Sequence, residues 1–353
     1  MLEAKRISYD IEYISSHLHC SIKLMGMKIL VTGSSGHLGE ALVRTLHDAN
    51  HEVVSLDIKP SPFTTVVGSI FDRECVRICM KGVGTVYHAA TLHKPHVATH
   101  SMQEFVETNI HGTLVLLEEA AACGVASFVF TSTTSVFGNA LRLPLGTPAV
   151  WVTEEVTPIP RNIYGVTKTA AEDLCHLFYR KRGLNCVVLR TSRFFPEEDD
   201  DRVQRQSYDD QNAKANEFLF RRVDLEDVVS AHLLASENAS SIGFGKYIIS
   251  ATTPFLTEDL TELRTNAPRV LRKRVPEYEQ IYQRYGWKMF QGIDRVYINS
   301  KARKDLKWEP KYNFTHVLSH LRKGTDPRSP LARVIDSKGY HSVIFDEGPY
   351  PVE

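Results

Sequence analysis

The stretch Met27-Lys28-Ile29-Leu30-Val31-Thr32-Gly33-Ser34-Ser35-Gly36-His37-Leu38-Gly39 decides the fold. Lys28 to Thr32 is a short apolar, β-branched run, the mark of a buried parallel strand. Three glycines follow, each with its own physical task. Gly33 permits a tight turn, Gly36 lets backbone approach a phosphate, and Gly39 lets the next helix pack against the strand. After His37, the helix expected over Leu38 to Asp48 turns unpaired N–H groups and its positive dipole end toward that phosphate. An acid closes the next strand, Asp57 in Val53-Val54-Ser55-Leu56-Asp57. A carboxylate there accepts hydrogen bonds from adenosine ribose hydroxyls and repels a 2′-phosphate, which favours NAD over NADP. Lys59 is the counter-argument, a cation able to meet a phosphate.

Working outward, strands are expected at Glu52 to Asp57, Thr64 to Val67, Thr85 to Ala89, Ser127 to Thr131 and Cys186 to Thr191. Helices are expected at Gln103 to Cys123 and Ile163 to Arg182. Strands alternating with helices imply right-handed crossovers, hence an α/β chain with a Rossmann-type doubly wound parallel sheet. The pattern changes after Arg193. Glu197 to Arg202 is strongly charged, and residues to about 217 are polar with little period, which reads as a mobile loop or lid. Leu225 to Ser236 is helical again, and Arg295 to Ile298 is strand-like. The expected division is a peripheral N-terminal extension at 1–26, an NAD-binding Rossmann domain with the catalytic residues at 27–193, and a smaller substrate lobe with the C-terminal tail at 194–353. Residues 225–250 return to the Rossmann domain.

The 353 residues suffice for one large α/β unit or two lobes. Lys plus Arg equals Asp plus Glu at 42 each, so no global field favours nucleic acid or an anionic membrane. The six cysteines are scattered without CxxC pairs, as in reduced cytoplasmic proteins. Residues 1–26 carry Glu3, Lys5, Arg6, Asp10 and Glu12 and lack the apolar core of a secretory signal. No apolar run is long enough for a membrane span.

The second informative segment is Tyr164-Gly165-Val166-Thr167-Lys168. It sets a phenol and an ammonium one helical turn apart on one face. A tyrosine has an ordinary pKa of about 10. A nearby ammonium and a positive nicotinamide favour the phenolate and lower that value. Tyr164 then exchanges a proton with a substrate hydroxyl as hydride moves at the same carbon, with Lys168 as electrostatic partner and ribose ligand. A hydroxyl from Thr131-Ser132-Thr133-Thr134-Ser135-Val136-Phe137-Gly138 is expected to hold the substrate oxygen.

Together these residues resemble the extended short-chain dehydrogenases/reductases, in the NAD-dependent epimerase/dehydratase family. The likeness runs from about Met27 to about Leu321. It rests on the glycine turn, Asp57, Val67-Gly68-Ser69-Ile70-Phe71-Asp72, His88-Ala89-Ala90, Asn109, Ser132 to Gly138 and Tyr164 to Lys168, with Asp227 and Leu306-Lys307-Trp308-Glu309-Pro310 as late matches. The resemblance implies that Ser69 and Ile70 lie near the adenine and that Ala89 and Ala90 line the cofactor cleft. It also implies that Asn109 supports the active-site backbone and that Thr133 is the catalytic hydroxyl. It implies a homodimer built by the helices around 103–123 and 163–182, and no metal.

The departures bear on the substrate. Thr134 and Ser135 stand where dehydrating relatives carry an Asp-Glu pair, and decarboxylating relatives carry a Glu at the Thr134 position, so both reactions are disfavoured. Arg193 stands where epimerases usually have Asn. It either binds a substrate phosphate or carboxylate, or caps the acidic segment Glu197 to Asp201. Phe220 replaces an arginine common in sugar-nucleotide enzymes. His93, His96 and His100 form a polar rim or, less readily, a metal site. Thr133, Thr134 and Arg193 are the candidate substrate contacts. The leading expectation is an enzyme acting on a secondary hydroxyl of a sugar or nucleotide sugar. The alternatives are net dehydrogenation of a smaller uronate, polyol or hydroxy-amino acid, or an NAD-binding sensor without turnover.

Overall fold

The computed structural model describes residues 27–144, 146–199, 201–339 and 345. The expected extension at 1–26 and the end of the tail lie outside the described residues. The chain begins with β1 (Lys28–Thr32), α1 (His37–Asp48), β2 (Glu52–Asp57), β3 (Val66–Val67), α2 (Arg73–Cys79) and β4 (Val83–His88). Next come α3 (Met102–Phe105), a π-helical turn (Val106–His111), α4 (Gly112–Ala122), β5 (Ser127–Thr133), β6 (Val150–Val152), α5 (Ile163–Arg182) and β7 (Cys186–Thr191). The later part contains α6 (Arg202–Ser207), α7 (Asp210–Glu217), α8 (Leu225–Ile242), β8 (Phe244–Ile249), α9 (Leu260–Arg274) and α10 (Tyr278–Tyr285). It ends with β9 (Arg295–Tyr297), α11 (Ser300–Asp305), α12 (Phe314–Lys323) and α13 (Pro330–Ile335).

Seven strands form one parallel sheet in the order β3-β2-β1-β4-β5-β7-β8. The order reverses between β1 and β4, so a crevice opens there, beyond the carboxyl ends of the strands. Strand alternation supplies both faces. Ile29 and Val31 pack with Leu42, Leu46, Val228 and Trp308 on one side, while Leu30 packs with Val115, Phe128 and Phe130 on the other. Each such burial contributes roughly 1.5–3 kcal/mol. A separate apolar cluster joins Leu219, Phe220, Leu263, Leu271, Tyr282 and Phe314 beyond the sheet.

Several elements differ from expectation for identifiable reasons. The third strand shrinks to two residues at the sheet edge, where only Leu56 and Asp57 pair with it. The β5 strand reaches Thr133, because β7 continues to pair with it through Thr191. The β6 and β9 strands form a small second parallel sheet, and β6 is too short to show a period. Lys246 interrupts the apolar pattern of β8, yet the strand pairs fully with β7. The segment expected as a mobile loop or lid holds α6 and α7. Asp209 caps α7 by accepting from the Gln211 and Asn212 N–H groups. Its buried side chains are mostly polar, Asn212, Asn216 and Glu217. A helix buried through polar pairing leaves no apolar stripe to read.

Candidate active site

The glycine turn closes as its sequence requires. Gly33 takes φ +78°, and a Cβ there would sit 2.7 Å from the Ala90 nitrogen. A Cβ on Gly39 would run into the Gly33 carbonyl oxygen. No side chain caps the first turn of α1, which leaves its early N–H groups for an external anion. Asp57 is tied into the same turn, accepting from the Ser35 N–H and from the Lys59 N–H at 2.9 Å each.

One cleft of about 1280 Å³ gathers most of the expected site. Gly33, Gly36, His37, Leu38, Gly39 and Asp57 line it, together with Ser69, Ile70, Ala89 and Ala90 and with Thr133, Thr134, Tyr164 and Arg193. Asn109 and Lys168 are buried and lie outside that lining. Asn109, in the π-helical turn, accepts from Thr91 Oγ1 and the Leu92 N–H. It donates to the Leu92 carbonyl and to Thr167 Oγ1, which donates in turn to the Tyr164 carbonyl. A single side chain therefore couples the loop after β4 to the backbone of the tyrosine turn, at the kind of helical irregularity frequent in functional sites.

Tyr164 is the second residue of α5, whose cap Asn162 accepts from the Gly165 N–H. Burial pushes the phenol up to about 12, and a hydrogen bond with Thr133 works against that rise. Burial pulls the Lys168 ammonium down to about 7, opposed by Glu172 and then Cys175. The ammonium lies 4.0 Å from the Phe130 ring centroid. The expected lowering of the phenol by this ammonium is therefore absent from the protein's own electrostatics. Burial sets the phenol's direction when no further positive charge stands in the cleft.

Beneath Thr133 and Lys168 lies a charged cluster that sequence reading missed. Glu172 accepts from Ser132 Oγ at 2.6 Å and from Arg190 Nη2 at 2.7 Å, and Lys246 Nζ lies 3.0 Å away. Burial opposes ionisation of Glu172, but Arg190 and Lys246 hold it below the usual range. The available signal was its position four residues after Lys168, on the same helix face.

Arg193 is engaged with the acidic segment. Its guanidinium pairs with Asp199 and lies 3.1 Å from Glu217. Arg221 reaches Glu217 at 2.8 Å and Arg222 reaches it at 2.7 Å. Of the two sequence readings, pairing with the acidic segment is the geometry present. Phe220 is buried against Phe290 in the second apolar cluster. His93, His96 and His100 contact one another ring to ring along the cleft rim, with centroids 4.5 and 5.1 Å apart. Among the described residues, no three His, Cys, Asp or Glu are grouped to hold a metal. Asp227 accepts from the Lys311 and Tyr312 N–H groups at 2.9 Å each, and its carbonyl accepts from the Trp308 indole. The late sequence matches are thus a structural anchor.

The sequence profile of the NAD dependent epimerase/dehydratase family matches residues 29–249, more than half of the chain. The chain belongs to this family. It is an enzyme, and NAD is the family's cofactor. The cradle fits the cofactor, since side chains are excluded where backbone must approach and Asp57 stands beside the turn. An uncharacterised Sinorhizobium fredii protein is 33% identical over 46% of this chain and 39% of its own length. An uncharacterised UDP-glucose epimerase of Bacillus subtilis is 30% identical over 46% of this chain and 55% of its own. The chain thus spans about half or less of these two relatives. A 3-beta-hydroxysteroid dehydrogenase of Mycolicibacterium neoaurum is 25% identical over 83% of this chain and 89% of its own. Two solved structures share the fold. A short-chain dehydrogenase/reductase superfamily protein from Agrobacterium tumefaciens with bound NAD has a TM-score of 0.59 at 24% identity, covering 87% of this chain and 99% of that one. The Thermotoga maritima UDP-glucose 4-epimerase with UDP-glucose has a TM-score of 0.57 at 24% identity, covering 84% and 99%. Among the described residues, no helix of this family member is long and apolar enough to cross a membrane.

Proposed function

We propose that this family member moves hydride to and from a carbon bearing a secondary hydroxyl of a sugar or nucleotide sugar, with Tyr164, Thr133 and Lys168 as its working groups. The observation that carries the reading is one cleft lined both by the glycine turn and by the hydrogen-bonded Thr133 and Tyr164. NAD, when bound, supplies the hydride acceptor and a positive nicotinamide ring. Thr133 Oγ1 holds the substrate oxygen. Tyr164 Oη takes the hydroxyl proton on oxidation and returns it on reduction. Lys168 and the added positive charge in the cleft bring the phenol down from about 12. Asp57 selects NAD by accepting from the ribose hydroxyls. Thr134 flanks the substrate oxygen, and neither it nor Ser135 is a carboxylic acid able to drive loss of water.

The working form is a homodimer. Met102 and Val106 recur one turn apart, and Val166 and Leu177 share a face of α5, all large apolar side chains exposed on adjacent helices. A second reading, net dehydrogenation of a smaller hydroxy compound, is favoured by one observation. Arg193 is spent on Asp199 and Glu217 rather than left for a diphosphate. NADH absorbance with a panel of sugar nucleotides, uronates and polyols separates the two. Net dehydrogenation accumulates NADH, and epimerisation converts substrate without accumulating it. A protein that binds NAD yet turns over nothing in either assay would be a sensor, contrary to both readings.

A further inference from the structure

The segment after α13 crosses back over the glycine turn. The α13 helix packs its Leu331, Ala332 and Ile335 into the cluster that holds α1. The chain then turns at Asp336, which takes φ +45° and is paired with Arg328 at 3.1 Å. Residues 337–339 meet one acceptor. Glu197 Oε1 receives Ser337 Oγ, the Lys338 N–H and the Gly339 N–H at 3.1 Å each. The same oxygen lies 2.9 Å from Nε2 of His37, the first residue of α1. Lys338 Nζ reaches further along the same helix and pairs with Glu40. Phe195, two residues before Glu197, packs edge-on against His37 and stacks on His93. Lys338 and Gly339 line the cleft beside the glycine turn.

We propose that Glu197 and Lys338 are cofactor-retention residues, clasping the strap of residues 336–339 across the glycine-turn end of the cleft so that release of NAD requires the strap to open. This rests on the glycine turn being the NAD site. The clasp has two independent halves on one helix, Glu197 through His37 and Lys338 through Glu40. Glu197 is half-buried with its side chain only 7% exposed, so opening exposes a carboxylate that must part from all its donors together. Glu197 and Lys338 act through the strap rather than on the reacting carbon, which makes them positioning residues. A strap of this kind suits chemistry in which the same NAD takes hydride and gives it back.

The test is the release rate of NADH from the full chain, followed by fluorescence after a chase with excess NAD. Glu197→Ala and Lys338→Ala should each speed release roughly tenfold or more, the loss expected for charge-assisted hydrogen bonds. Lys338→Arg should restore slow release, and the melting temperature of the cofactor-free Lys338→Ala protein should match the parent. Should Glu197→Ala fail to fold, Ser337→Ala with Lys338→Met serves in its place. Release rates within twofold of the parent in both variants would overturn the proposal while leaving the NAD site intact. A parent that binds no NADH would overturn the site assignment itself and this proposal with it.

Discussion

Two parts of the cleft wall are held by different physics. At the glycine turn, geometry excludes side chains. Gly33 and Gly39 leave no room for a Cβ, and Asp57 locks the turn through two backbone N–H groups. Around Arg193, charges hold one another. Glu217 is buried among Arg193, Arg221 and Arg222, with Asp199 sharing two of those cations. The first kind of order is local, and a substitution disturbs it by bulk. The second joins residues from 193 to 222, and a substitution disturbs it by stranding charge. A third region holds Tyr164 and Lys168 in buried surroundings whose own electrostatics favour their neutral forms.

That contrast sets an order of expected effects. The largest falls on the dry pocket. Lys168→Met should lower kcat by roughly 10²–10⁴-fold, the range typical of a group assisting proton transfer. It should also move the alkaline-going limb of the pH–rate profile upward, because the phenol loses its cation. An unchanged profile would remove Lys168 from the chemistry.

Next comes the charged cluster around Arg193. Glu217→Ala leaves three guanidinium groups without their shared partner and should cost about 3–5 kcal/mol of stability, read by denaturant unfolding. The same replacement at the exposed Glu258 should cost far less.

The charged cluster and the dry pocket respond to pH in separate windows, each gaining stability as pH rises. Burial opposes ionisation of Glu217, yet Arg222, Arg221 and Arg193 hold it well below the usual carboxylate range. Its contribution is therefore full above an unfolded-state pKa of about 4.3 and fades as pH falls. Lys168 is lowered to about 7 by burial. Its buried charge destabilises the cofactor-free protein below that pH, and the penalty lifts as pH rises toward about 10.4. Melting temperature against pH should show an acid slope that Glu217→Gln reduces and an alkaline slope that Lys168→Met flattens.

At the glycine turn, Gly39→Ala should cost about 1–3 kcal/mol through overpacking and weaken NAD binding. The smallest effect is expected at Asp57→Ala, where the preference for NAD over NADP should narrow while the fold holds. An unaltered preference would break the ribose argument.

What could be read from the chain follows the same division. The sheet, α1, α5 and the glycine turn were legible because their determinants lie within a few residues of one another. Tyr164 and Lys168 were legible from their four-residue spacing. Thr133 was reached only through resemblance, since eight neighbouring residues offer several hydroxyls. The π-helical turn that aims Asn109 left no mark in the apolar pattern. The α6 and α7 helices read as a loop because α6 buries no side chain and α7 buries mostly polar ones, so neither shows an apolar period. The clasp around Glu197 joins positions about 140 residues apart, a distance over which no local pattern speaks. The raised phenol of Tyr164 was missed because sequence reading counted the ammonium and not the dryness of its surroundings.

The central claim is that Tyr164 Oη handles the proton at a secondary hydroxyl beside NAD held by the glycine turn. It is tested most directly by mixing the NAD-loaded protein with an active substrate from the panel in a single turnover. NADH formation is followed in the parent and in Tyr164→Phe, alongside NADH affinity in both. The parent should form NADH, transiently for an epimerase or lastingly for a dehydrogenase. Tyr164→Phe should bind NADH as the parent does and form NADH at least about a hundredfold more slowly. Formation at the parental rate in Tyr164→Phe would contradict the account.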